Sequence, residues 1–141
     1  MSTDTDGRAA AITALTATLT AGLDEDEAAA KAAAGEVWEY RDSWVWAESF
    51  EVADVFGIPD TDETGIHIAR HDPARELREV QAKGDLLAAI LAEPHHDWRG
   101  VSACRKTVFD EEECNCGRDA RVERLLAILA GAYNANGEQQ R

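Results

Sequence analysis

Basic residues are scarce in this chain. Fourteen lysines and arginines stand against 28 aspartates and glutamates, a formal net charge of −14. A surface with that balance repels phosphate backbones, so direct DNA or RNA binding is not expected. Long apolar runs are missing as well. The longest, Leu86 to Ala92, falls well short of the roughly 20 residues that span a bilayer, so no membrane segment is expected. The opening Met1-Ser2-Thr3-Asp4-Thr5-Asp6 has neither the basic nor the apolar region of a secretory signal, which points to the cytoplasm. Cysteine is limited to three residues, an odd number, and thiols in a reducing compartment rarely form structural disulfides. Metal ligation explains a cluster of them better. No internal repeat, nucleophile–base pair or phosphate-binding loop is present, which argues against an enzyme.

What is present fits one domain over residues 1–141, with flexible tails at 1–7 and 134–141. A chain of this length buries roughly two thirds of its unfolded surface. The hydrophobic content is 45%, but much of it is alanine, so the bulky core is thin and a local staple such as a metal would help. The acidic surface leaves two partner classes, cations and proteins with basic surfaces.

The expected fold class is α+β, dominated by helix. Arg8 to Ala34 is alanine-rich and reads as one long helix, with Ile12, Leu15, Leu19 and Leu23 forming a narrow apolar stripe. Gly22 is a weak point costing about 1 kcal/mol relative to alanine, and Gly35 is a natural stop. Val37 to Phe56 changes period. Its aromatic and β-branched runs, split by Arg41-Asp42-Ser43, predict a small antiparallel meander with a third strand from Phe50 to Val55. Three of the four tryptophans lie in this meander and are expected to pack it against the first helix. Asp60-Thr61-Asp62-Glu63 caps a short helix to about His71, and Asp72 caps the next, which starts at Pro73 and runs to about Ala92, with Gly84-Asp85 as a possible kink. Leu77, Val80, Leu87, Ile90 and Leu91 are its apolar positions. A last helix from Arg118 to Tyr133 turns Val122, Leu125, Leu126, Ile128 and Leu129 inward.

Between these two helices, from Pro94 to Gly117, lie His95-His96, Cys104 and Cys114-Asn115-Cys116. Zinc takes four nitrogen or sulfur ligands in a tetrahedron. Cys104, Cys114, Cys116 and His95, with His96 as the alternative imidazole, fill that set and leave no open position, so the expected cofactor is a structural zinc. Asp97 can orient either histidine. Gly117 permits a tight turn after the last cysteine, and the N-terminal dipole of the following helix favours thiolates. The loop is too polar to bury idle thiols: Arg105, Lys106 and the acidic run Asp110 to Glu113 surround them.

Ile66-His67-Ile68-Ala69-Arg70-His71-Asp72-Pro73-Ala74-Arg75 is the most distinctive string. His67 and His71 share a helix face and can chelate a metal; alternatively His71 answers a helix C-terminal dipole while Asp72 caps the next helix. At these residues, at Leu23 to Ala30, at Leu77 to Lys83, at the cysteine-bearing loop and at Arg124 to Ala127, the chain resembles a family of uncharacterised proteins from actinobacteria and their phages. Members are similar in carrying a tryptophan after the first helix, as Trp38 does here, and a histidine with cysteines before the last. The resemblance implies a cytoplasmic setting and a bacterial or phage origin, with no known activity.

The sequence therefore favours a non-enzymatic, zinc-stapled module that binds another protein. Two alternatives are an acidic mimic of nucleic acid that inhibits a host protein, and a metal-dependent hydrolase using His67, His71 and Asp72 with one carboxylate of Asp24 to Glu27.

Overall fold

The computed structural model describes residues 3–33, 37–48, 50–57, 60–95, 104 and 116–134. The order is α1 (Thr3–Ala32), β1 (Trp38–Arg41), β2 (Trp44–Ala47), β3 (Phe50–Asp54), α2 (Thr61–Arg70), α3 (Pro73–Leu91) and α4 (Arg118–Asn134). The fold is helix-dominated α+β, as expected. No described helix is long and apolar enough to cross a membrane. Packing divides the chain into two compact units, Leu23–Lys83 and Met1–Gly22 with Gly84–Arg141.

Helix α1 starts five residues earlier than the composition predicts, at Thr3 rather than Arg8. Its threonines are tolerated because the hydroxyls of Thr13, Thr16 and Thr18 donate to the carbonyls of Ala9, Ile12 and Ala14, one turn back. Burial along the predicted stripe deepens toward Leu19 and Leu23. Gly84 and Asp85 lie inside a continuous α3.

Within Leu23–Lys83, the three strands form an antiparallel sheet in the order β1-β2-β3. Asp42 and Ser43, both at positive φ (52° and 65°), make the two-residue turn between β1 and β2. Two consecutive left-handed residues match the right-handed twist of a hairpin. Arg41 belongs to the strand, and its guanidinium lies 5.0 Å over the ring of Trp46. Val45 and Ala47 are buried, while Trp44 and Trp46 stay half-buried on the alternate positions of β2.

Helix α2 packs on β1 and β2, and Trp38 of β1 shares a pocket with Ala29 and Ala30 of α1. The α2 contact depends on Gly65. With no side chain there, the ring of Tyr40 lies directly on the α2 backbone; a Cβ at Gly65 would come within 2.2 Å of Tyr40 Cδ2. The Tyr40 hydroxyl donates to Asp62 Oδ1 at 2.6 Å. Asp62 is thus used by the sheet, and Asp60, at the expected cap position, is left-handed (φ 54°) and makes no side-chain cap bond. At the next junction Asp72 does cap α3, its Oδ1 accepting from the Arg75 amide at 2.7 Å.

In the other unit, Arg8 Nε donates to Glu123 Oε2 at 2.9 Å, and Gly22 receives the ring of Tyr133. The two contacts advance together along both helices, so α1 and α4 run side by side in the same sense. Gly22 is a docking notch rather than a weak point. On α4, Val122, Leu126 and Ala130 are fully buried, but Leu125 is 38% and Ile128 69% exposed, against expectation. At 100° per residue, Ile128 falls roughly 160° from the centre of the buried face.

Candidate metal centre

Helix α3 ends at Leu91, and Arg118 in the first turn of α4 answers its unsatisfied carbonyls. The guanidinium donates to Leu91 O at 2.5 Å and Glu93 O at 2.8 Å, satisfying acceptors that have no partner inside the helix. Arg121, one turn on, donates to Glu93 Oε1 through Nη2 and Nε at 2.7 and 3.0 Å, and to Cys116 O at 3.3 Å. Gly117 takes φ +76°, the turn predicted from its identity, and its carbonyl accepts from the Arg121 amide. These bonds hold His95, just past the end of α3, next to Cys116, just before α4.

Cys104 comes from a separate point in the chain and is buried, at 1% exposure. Its Sγ lies 3.5 Å from His95 Nδ1, and Cys116 Sγ lies 3.6 Å from the same nitrogen. The ligand atoms of all three residues lie within 4.8 Å of one another, close enough to hold a metal ion. Metal–sulfur and metal–nitrogen bonds of about 2.3 and 2.0–2.1 Å at a tetrahedral angle put N and S roughly 3.6 Å apart, which is the spacing seen on both edges.

The other ring nitrogen of His95, Nε2, faces the carboxylate of Asp119 at 3.7 Å. Asp119 is buried and bonds to Arg118 Nη1 at 2.9 Å. A carboxylate behind the imidazole favours the proton on Nε2 and leaves the Nδ1 lone pair toward the sulfurs, the arrangement a metal ligand needs. The sequence signal for Asp119 is its place in the first turn of a helix that begins two residues after a cysteine. Cys114, His96 and the orienting residue expected at Asp97 lie outside the described residues.

His67 and His71 are both exposed, with ring centroids 4.7 Å apart. His71 Nδ1 pairs with Glu76 Oε1 at 3.1 Å, and its amide closes the end of α2 on Ile68 O. Asp72 is committed to capping α3. Among the described residues, the one group of three or more histidines, cysteines and carboxylates that can hold a metal is His95, Cys104 and Cys116. The expected hydrolase constellation of His67, His71, Asp72 and an acidic residue of α1 is not brought together there.

The family model for a family of unknown function (DUF6221) matches residues 13–136. The chain belongs to this family. The match takes in the candidate metal centre and the α2–α3 junction alike. No curated protein and no solved structure matches the chain.

Proposed function

We propose that this DUF6221 member is a non-enzymatic protein-interaction module of bacterial or phage origin, working in the cytoplasm and stapled by one structural zinc ion. The ligands are His95 Nδ1, Cys104, Cys116 and, from the sequence, Cys114. The observation that carries the assignment is His95 Nδ1 standing 3.5 and 3.6 Å from two cysteine sulfurs, with Asp119 behind the ring. A set of one imidazole and three thiolates suits zinc and is complete at four, so the ion has no position left for a substrate. Its work is to fasten the segment between α3 and α4, where the polar sequence supplies little core.

Elemental analysis of protein purified without added metal tests this. One zinc per chain is expected, falling to near zero in Cys104→Ala and Cys114→Ala. Cobalt substitution should give the intense thiolate charge-transfer and visible bands of a tetrahedral site. Chelation should lower the melting temperature and release any protein partner captured by the zinc-loaded chain. A folded, metal-free chain with three thiols reactive to Ellman's reagent overturns the zinc assignment.

A further inference from the structure

The distinctive string at the α2–α3 junction has a use that the metal centre does not absorb. Within Leu23–Lys83, a cleft of about 490 Å³ opens beside β1 and this junction. That volume falls in the range of small-ligand sites, about 300–1,000 Å³. Arg70, Arg75 and Arg78 line it, facing two carboxylates, Glu39 and Asp72. Asp72 is occupied by the Arg75 amide. Trp38, Tyr40 and Ile66 form the apolar wall.

The three arginines differ in how they are held. Arg75 is held in place: Nε donates to Glu79 at 2.7 Å and Nη1 to the Arg70 carbonyl at 3.3 Å, tying the end of α2 to α3. Its guanidinium keeps the Glu79 carboxyl below the usual carboxylate range. Arg70 and Arg78 have no carboxylate partner among the described residues. Among the described residues, Arg8, Lys31, Arg118 and Arg121 are ion-paired with Glu123, Glu27, Asp119 and Glu93, while Arg41 lies over Trp46 instead. Two unanswered guanidiniums beside one cleft are suited to an anion from outside. Their planar forks match phosphate oxygens in pairs.

We propose that this cleft binds a small phosphate-bearing molecule with a flat apolar body, of the nucleoside monophosphate class. Arg70 and Arg78 take the phosphate, and Trp38 and Tyr40 lie against the ring. The same −14 charge that repels a nucleic-acid strand leaves room for one compact dianion, because repulsion accumulates along a polymer and not over a single group. The zinc assignment plays no part in this inference, since every residue of the cleft lies within Leu23–Lys83.

Calorimetric titration of the full-length, zinc-loaded chain at low salt tests it, with adenosine monophosphate as the probe and adenosine and inorganic phosphate as separate arms. Saturable binding of the nucleotide is expected, weaker for either half alone. Arg70→Gln and Arg78→Gln should each lose about tenfold or more in affinity, the size of one charge-assisted hydrogen bond. Both residues are exposed, so circular dichroism should be unchanged. Arg124→Gln, on the exposed side of α4, should bind as the parent does. No saturable binding, equal affinity in the Arg70 and Arg78 variants, or phosphate binding as tightly as the nucleotide overturns the proposal.

Discussion

Asp119 Oδ1 stands 3.7 Å from His95 Nε2, while the opposite ring nitrogen, Nδ1, stands 3.5 Å from Cys104 Sγ. The imidazole is thus gripped between a carboxylate and a thiol, and its tautomer follows from its neighbours. Arg118 in turn grips the carboxylate, the carbonyl of Leu91 at the end of α3 and that of Glu93 just past it. The candidate metal ligand is therefore positioned by a chain of bonds running back into the backbone of a helix.

Removing the carboxylate should loosen the metal without removing a ligand. Asp119→Ala is expected to weaken zinc binding by about 10- to 100-fold, the usual cost of losing an outer partner of a metal-bound histidine. Competition with a chromogenic chelator measures it. Asp119→Asn keeps an acceptor opposite Nε2 and should lose less. Equal affinity in the parent and Asp119→Ala would show that the carboxylate does not position the ring.

Gly22→Ala should reverse the normal sign of a helix substitution. In an open helix the change stabilises by about 1 kcal/mol. Here the new Cβ would meet Tyr133 Cδ1 at 2.3 Å, so the ring must leave its seat. A net loss of about 1–3 kcal/mol is expected from such overpacking, read by urea denaturation. The double variant with Tyr133→Ala should be non-additive, because the clash has no second partner.

Tyr40 should ionise late. Its hydroxyl donates to Asp62, which, with desolvation and the charge of Asp62, raises its pKa above the ordinary value of 10.0. A group whose pKa is higher folded than unfolded contributes stability below its unfolded pKa and loses it as pH rises through the folded one. The bond between Tyr40 and Asp62 should therefore support the sheet at neutral pH and fail in alkali above pH 10. Absorbance titration at 295 nm should resolve a late tyrosine in the parent and an ordinary one in Asp62→Asn. Gly65→Ala, which pushes the Tyr40 ring away, should do the same.

The meander was legible because its signals are local: β-branched and aromatic runs, and a polar pair that makes the turn. Asp72 was legible as a cap for the same reason, since a cap reads the amide three residues on. The packing of α2 on the sheet was beyond that reach, because it depends on Tyr40 finding Gly65, twenty-five positions away in the chain. Gly22 was misread for a related reason. Propensity prices a missing side chain as a loss, whereas Tyr133 uses it as space. At the candidate metal centre, His95, Cys104 and Cys116 are legible by residue type. Asp119, Arg118 and Arg121 did not, since charged residues in a first turn are ordinary on a solvent-facing helix and acquire their roles through contact with Glu93, Leu91 and His95.

Arg118 and Arg121 give the stretch between His95 and Cys116 an evolutionary freedom. Both ends of that stretch are pinned by bonds to backbone and side chains outside it. The entropy of closing a flexible span grows only as the logarithm of its length, about 0.6 kcal/mol for each doubling. The number of residues between these two anchor points is therefore expected to be open to change, provided a cysteine still reaches His95 from within the stretch. Variation in the family should concentrate there, and the Arg-Asp-x-Arg at the start of α4 should outlast the spacing of the cysteines.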